Sequence, residues 1–103
     1  MASTPEKKVK DKIVKVLKEE GVYYFFPATH GFGRSGVPDI ICCVNGYFLA
    51  IEVKAGTNKP TALQVREIEA IRRCNGVAVV ANDENWDMVR GLVRKMKEQK
   101  NEQ

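Results

Sequence analysis

At 103 residues the chain is one domain by size, and 44% hydrophobic residues are enough for one modest core. No apolar run approaches the roughly 20 residues of a membrane-spanning helix, and the polar, lysine-rich start lacks the apolar stretch of a secretory signal, so a cytoplasmic protein is expected. The net charge of +4 is compatible with a nucleic-acid partner but does not establish one. Cys42, Cys43 and Cys74, with His30 as the only histidine, lack the spaced pairs of a zinc site, so reduced and mostly buried thiols are expected.

In chain order, "STPEKKVKDKIVKVLKEEG" predicts a helix, with Thr4 as N-cap, Pro5 at the first position and Gly21 as the stop. Its apolar face is Val9, Ile13, Val16 and Leu17. "VYYFFPA" follows, rich in β-formers, and predicts a strand over residues 22–27. "THGFGRSG" is a loop; it lacks the GxGxxG spacing of a dinucleotide site, and no helix opens after it. Residues 37–44 and 47–54 are two strands joined by Asn45-Gly46, the strongest short hairpin signal. "AGTNKP" is a turn, and a second helix runs from Thr61 to Cys74, stopped by Asn75-Gly76. "VAVVA" is a wholly apolar strand, expected at the centre of the sheet and parallel to an earlier strand. A last helix over residues 84–98 carries Trp86, Val89, Leu92, Val93 and Met96 on one face. The order is α-β-β-β-α-β-α, without repeat or linker.

The hairpin carries three charges into apolar strands. Carried outward in register from Val44 and Tyr47, the two-residue turn sets Asp39 directly opposite Glu52, with Cβ atoms about 5 Å apart. Strand side chains alternate, so Glu52 and Lys54 share a face. Like charges directly opposite are destabilising, and a half-buried carboxylate needs a partner. Lys54 compensates one charge; a divalent cation would compensate the other, and oxygen-only ligands suit Mg²⁺ or Mn²⁺. The competing reading is an ordinary Asp–Lys–Glu surface cluster, worth little energetically.

Pro38-Asp39 followed by Glu52-Val53-Lys54 resembles the PD-(D/E)xK nuclease signature. The surrounding "GRSGVPDIICCVNGYFLAIEVKAG" is similar to the virus-type replication-repair nuclease family, VRR-NUC, in its stand-alone phage and bacterial type. Gly36 before Pro38-Asp39, Gln64 on the next helix and Glu6 on the first match that family's pattern, and the resemblance runs from about residue 5 to about residue 82. It implies one nuclease domain over residues 1–103, with an α/β fold: a restriction-endonuclease-like αβββαβ core with a mixed sheet, plus a C-terminal helix. It also implies metal-dependent cleavage of DNA phosphodiesters, with Asp39, Glu52 and the Val53 carbonyl holding Mg²⁺ or Mn²⁺ and Lys54 orienting the attacking water or stabilising charge on the phosphate.

Glu6 lies in register with Val9 and Ile13, so its carboxylate is expected to point at the core or a cleft, as a third acidic ligand. A glutamate that merely favours a helix N-terminus is the alternative. Gln64 is placed beside the catalytic lysine by the resemblance, but Thr61-x-x-Gln64 is also a capping box. Arg34, His30 and Lys59 flank the site as candidate DNA-phosphate contacts, with solvated loop charges as the alternative. Arg66, Arg72, Arg73, Arg90, Arg94 and Lys95 are expected on solvated faces, and Tyr23 to Phe26 in the core or a dimer contact rather than as base-stacking platforms, because they form a continuous strand.

The reading is a metal-dependent DNA endonuclease acting on branched DNA such as four-way junctions. Symmetric resolution needs two cuts, so one site per chain points to a homodimer. The rivals are a nickase or restriction-like nuclease on duplex or flap DNA, a non-catalytic DNA-binding module, and an α/β interaction domain that binds no metal.

Overall fold

The computed structural model describes residues 4–28 and 33–99. Helix α1 (Pro5–Glu19) opens as expected: the Thr4 hydroxyl accepts the Lys7 N–H at 3.1 Å and Pro5 fills the first turn. It closes on Gly21 at φ 69°, which lets the Val22 N–H reach the Leu17 carbonyl and the Gly21 N–H the Lys18 carbonyl, a Schellman ending. Val9, Ile13, Val16 and Leu17 are its buried residues.

Four strands form one mixed sheet in the spatial order β1 (Tyr23–Phe25), β2 (Ile40–Val44), β3 (Tyr47–Val53), β4 (Val77–Ala81). The first three are antiparallel, and β4 runs parallel to β3 after the crossover helix α2 (Ala62–Arg73). Helix α3 (Met88–Glu98) ends the fold. Alternation divides the sheet faces. Ile40, Cys42, Val44, Leu49, Ile51 and Val53 join α1 and α3 in the main core. Ala50 and Ala78 pack on Ile68 of α2 on the other face. Among the described residues, no helix is long and apolar enough to cross a membrane.

Several sequence expectations need correction. The strand "VAVVA" is an edge strand rather than a central one. Its apolarity reports two covered faces, not two neighbouring strands, and the crossover sets it down outside β3. The first strand is shorter than 22–27 and the second starts at Ile40, because Pro38 has no N–H to give a ladder. The last helix starts at Met88; residues 82–87 instead form a turn in which the Asn82 side chain accepts the N–H groups of Glu84 and Asn85. Only Cys42 is buried, and burial pushes its thiol up to about 12; Cys43 and Cys74 are exposed free thiols.

Three arginines expected on solvated faces tie elements together. Arg72 donates to the Ala78 carbonyl from both Nε (3.2 Å) and Nη2 (2.8 Å), joining the end of α2 to β4. Arg90 and Arg94 of α3 bind the Glu20 carboxylate at 2.7 and 3.1 Å, with Lys97 beside them. That cage, Arg94 foremost, holds the Glu20 carboxyl down to about 2. The Asn45 amide at the hairpin tip donates to the carbonyls of Met96 and Gln99, closing the end of α3 against the sheet.

Candidate active site

The site is built by the hairpin. Asn45 (φ 54°) and Gly46 (φ 82°) form a type I′ turn, and the pairs run without a bulge from Val44–Tyr47 to Ile40–Ile51. Asp39 is therefore one step beyond the last pair, at the position opposite Glu52. In the alternation that a two-residue turn sets, the Val53 N–H would next bond the Pro38 carbonyl. Instead it donates to Asp39 Oδ2 at 2.8 Å. The chain leaves the sheet at Asp39, and the carboxylate takes over the ladder bond, which fixes it against the backbone of β3.

Glu52 is only 1% exposed, because β3 is covered on both faces. Its Oε2 lies 3.3 Å from Lys54 Nζ. Its Oε1 is buried without a hydrogen-bond partner. Burial first, and then the neighbouring Asp39 carboxylate, push the Glu52 carboxyl up to about 7. Lys54 opposes that shift without cancelling it. Its backbone N–H donates to the Ala81 carbonyl at 2.9 Å, so β4 holds the residue that sends this ammonium toward Glu52. The half-exposed surface cluster is excluded, since Glu52 is a core residue.

Gly36 couples the Asp39 segment to α2. It has φ 79°, and a Cβ built there would lie 2.6 Å from the carbonyl carbon and oxygen of Leu63 and 2.9 Å from the Gln64 nitrogen. Only a glycine lets this loop rest on the first turn of α2. In that turn Gln64 Oε1 accepts the Thr61 N–H at 2.8 Å while Thr61 Oγ1 accepts the Gln64 N–H at 3.3 Å. Both halves of the capping box are made, and the Gln64 oxygen is committed to it.

A groove of about 460 Å³ opens beside Asp39 on the α1 side, walled by Thr4, Glu6, Lys10, Phe26 and Val53 among others. Glu6 is exposed there rather than on the buried stripe, because the first turn of α1 has no core residue beneath it: burial along the helix begins at Val9. Among the described residues, no three His, Cys, Asp or Glu side chains converge on a common point as a metal cluster. The acidic convergence is the Asp39–Glu52 pair, with Glu6 and the Lys7-paired Asp11 at the groove wall.

The remaining candidates are dispersed. Arg34 reaches Glu67 of α2 at 3.0 Å and lines a separate apolar groove with Phe48 and Cys74. Lys59 is exposed in the turn before α2, and His30 lies outside the described residues. Sequence reasoning passed over Lys7 and Lys10, which line the Asp39 groove. The signal was present: Lys10 is four residues from Glu6 and so shares its side of the helix.

Chemically, the site offers two oxygen donors from opposed carboxylates, one orphaned oxygen and one ammonium. That set fits a hard divalent cation such as Mg²⁺ or Mn²⁺. Glu52 Oε1 is a buried acceptor that lacks a positive partner, and the Asp39–Glu52 repulsion is what a cation would relieve.

Comparison with known proteins follows the same direction. The family described as archaeal Holliday junction resolvase (Hjc) matches residues 6–100. A solved structure described as a VRR_NUC domain protein superposes with a TM-score of 0.72, covering 93% of this chain and 90% of that one at 21% identity. At that identity the likeness is one of fold, and it bears out the α/β nuclease-like architecture. No curated protein matches the chain. The resemblance to VRR-NUC thus holds for the fold, while the match along residues 6–100 assigns the sequence: this chain belongs to the archaeal Holliday junction resolvase family.

Proposed function

We propose that this nuclease is a metal-dependent endonuclease that hydrolyses phosphodiester bonds in branched DNA, four-way junctions first among them. The observation that carries the metal dependence is Glu52, a core carboxylate with one unpartnered oxygen and the Asp39 carboxylate as its neighbour. Asp39 and Glu52 would hold Mg²⁺ or Mn²⁺, with the Val53 carbonyl and Glu6 as further donors, and the bound cation would supply Lewis-acid polarisation of the phosphate and a water of lowered pKa. Asp39 is kept in place by the Val53 N–H. Lys54, on the Glu52 side, stabilises negative charge developing on the phosphate. Gln64 is proposed to act beside that lysine from the start of α2, where the capping box fixes its side chain.

Lys59 and His30 are proposed as phosphate contacts. Arg34 joins them by exchanging Glu67 for a phosphate, which it can grip with two bonds. The assembly proposed is a homodimer, since symmetric resolution needs two cuts. Tyr23, Phe25 and Phe48 lie on the α2-side face, beyond the part that α2 covers, and their exposed rings provide apolar surface for it.

The test incubates the purified protein with labelled four-way junction and matching linear duplex, in Mg²⁺, Mn²⁺ or EDTA, beside Asp39→Ala. Metal-dependent cleavage of the junction, lost in Asp39→Ala and weak on duplex, is expected. Cleavage of duplex or flaps instead keeps the chemistry and removes the junction preference. Binding without cleavage in either metal leaves a non-catalytic DNA-binding module.

A further inference from the structure

We propose that Phe26 is a stacking platform for an unpaired nucleobase next to the scissile phosphate. This deepens the nuclease reading and rests on it. The sequence argues against base stacking for Tyr23 to Phe26 because all four read as one strand, but β1 ends at Phe25. Phe26 is outside the ladder and 47% exposed. Phe26 lines the same groove as Asp39, Val53 and Glu6, so an aromatic side chain and three of the four candidate metal donors share one space. That groove, at about 460 Å³, is in the range of about 300–1,000 Å³ typical of small-molecule sites.

The ring is held rather than loose. Lys10 Nζ lies 4.0 Å from its centroid, a cation–π contact, and the Tyr24 ring is 5.8 Å away at 47°. The ammonium covers one face, and a ring nearly half exposed keeps area for a base. Lys10 also sets a positive charge within reach of the phosphate of the same nucleotide. Aromatic–base stacking with an adjacent cation is how proteins hold single-stranded nucleic acid without reading its sequence. In an intact duplex each base is already stacked between neighbours. A platform beside the cutting site therefore favours substrates that present an unpaired base, at a branch, fork or flap.

The packing alternative is that Phe26 merely rests on the aliphatic stem of Lys10. Leucine would serve that role equally well; it would not stack. The experiment compares wild type, Phe26→Leu and Phe26→Trp on forked DNA carrying 2-aminopurine at the first unpaired position, and on linear duplex. Binding is read by 2-aminopurine quenching in EDTA, and cleavage in Mg²⁺ or Mn²⁺, after thermal melting has checked that each variant folds. Wild type and Phe26→Trp are expected to quench the probe. Phe26→Leu should lose the quench and weaken forked-DNA binding about five- to a hundredfold, with KM raised, kcat kept and linear-duplex binding unchanged. Retention of quench and fork preference in Phe26→Leu overturns the platform. Should Phe26→Leu fail to fold, Phe26→Trp decides: quenching at least as strong as wild type supports stacking, and its loss overturns it. Because quenching is read without metal, a protein that cuts no DNA refutes the nuclease reading separately from the platform.

Discussion

Replacing Gly36 by alanine perturbs the contact that carries Asp39 onto the first turn of α2. Two costs add. At φ 79° an L-residue in the left-handed region loses about 1–2 kcal/mol. The new methyl would also meet Leu63 backbone atoms at 2.6 Å, where ordinary contacts begin near 3.4 Å, so a shift of about 1 Å is required. Neither partner is a flexible side-chain end; overpacking of this kind costs about 1–3 kcal/mol. The expected loss is thus about 2–5 kcal/mol. Gly21→Ala is the control, because Gly21 has φ 69° but nothing within 4 Å of its would-be Cβ. It should lose only the conformational part, about 1–2 kcal/mol. Urea denaturation of the two variants separates the terms. In cleavage assays under folding conditions, Gly36→Ala should also lose on the order of a hundredfold in kcat, the usual result of a misplacement of about 1 Å, because Asp39 is three residues away. Equal destabilisation of the two variants, or full turnover by Gly36→Ala, would refute the clash and with it the reason for a glycine before Pro38-Asp39.

The metal-free protein should lose stability as pH rises. Folding raises the Glu52 carboxyl from 4.5 to about 7, so across that window the folded state holds a proton that the unfolded state releases. Stability should fall by about 3 kcal/mol between about pH 4.5 and pH 7 and then level off. Urea midpoints in EDTA should show this slope for wild type and a flat profile for Glu52→Gln, and Mg²⁺ at pH 8 should raise the midpoint of wild type alone. Gln64→Glu keeps a residue competent for the capping box while adding a negative charge at the start of α2. Unchanged melting with kcat down at least tenfold would assign Gln64 to the chemistry; unchanged melting and unchanged kcat would leave it as a cap.

What was legible in the sequence was local. Thr4 and Pro5, Gly21, Thr61 with Gln64, and Asn45-Gly46 act through backbone bonds that span only a few residues, so the helix ends and the hairpin followed from residue order. The hairpin also set Asp39 opposite Glu52, since register propagates from a turn without any knowledge of the rest of the fold. Tertiary structure decided the depth of Glu52, because only α2 on one face and the α1–α3 layer on the other make β3 a core strand. It decided that β4 is an edge, that Arg34 meets Glu67, and that Arg90 and Arg94 cage Glu20 some 70 positions earlier in the chain. It likewise brought Phe26 and Lys10 into one groove with Asp39. The sequence by itself determined the pairing that creates two opposed carboxylates; which of them water can reach depends on long-range packing, and that is a property of the folded chain alone.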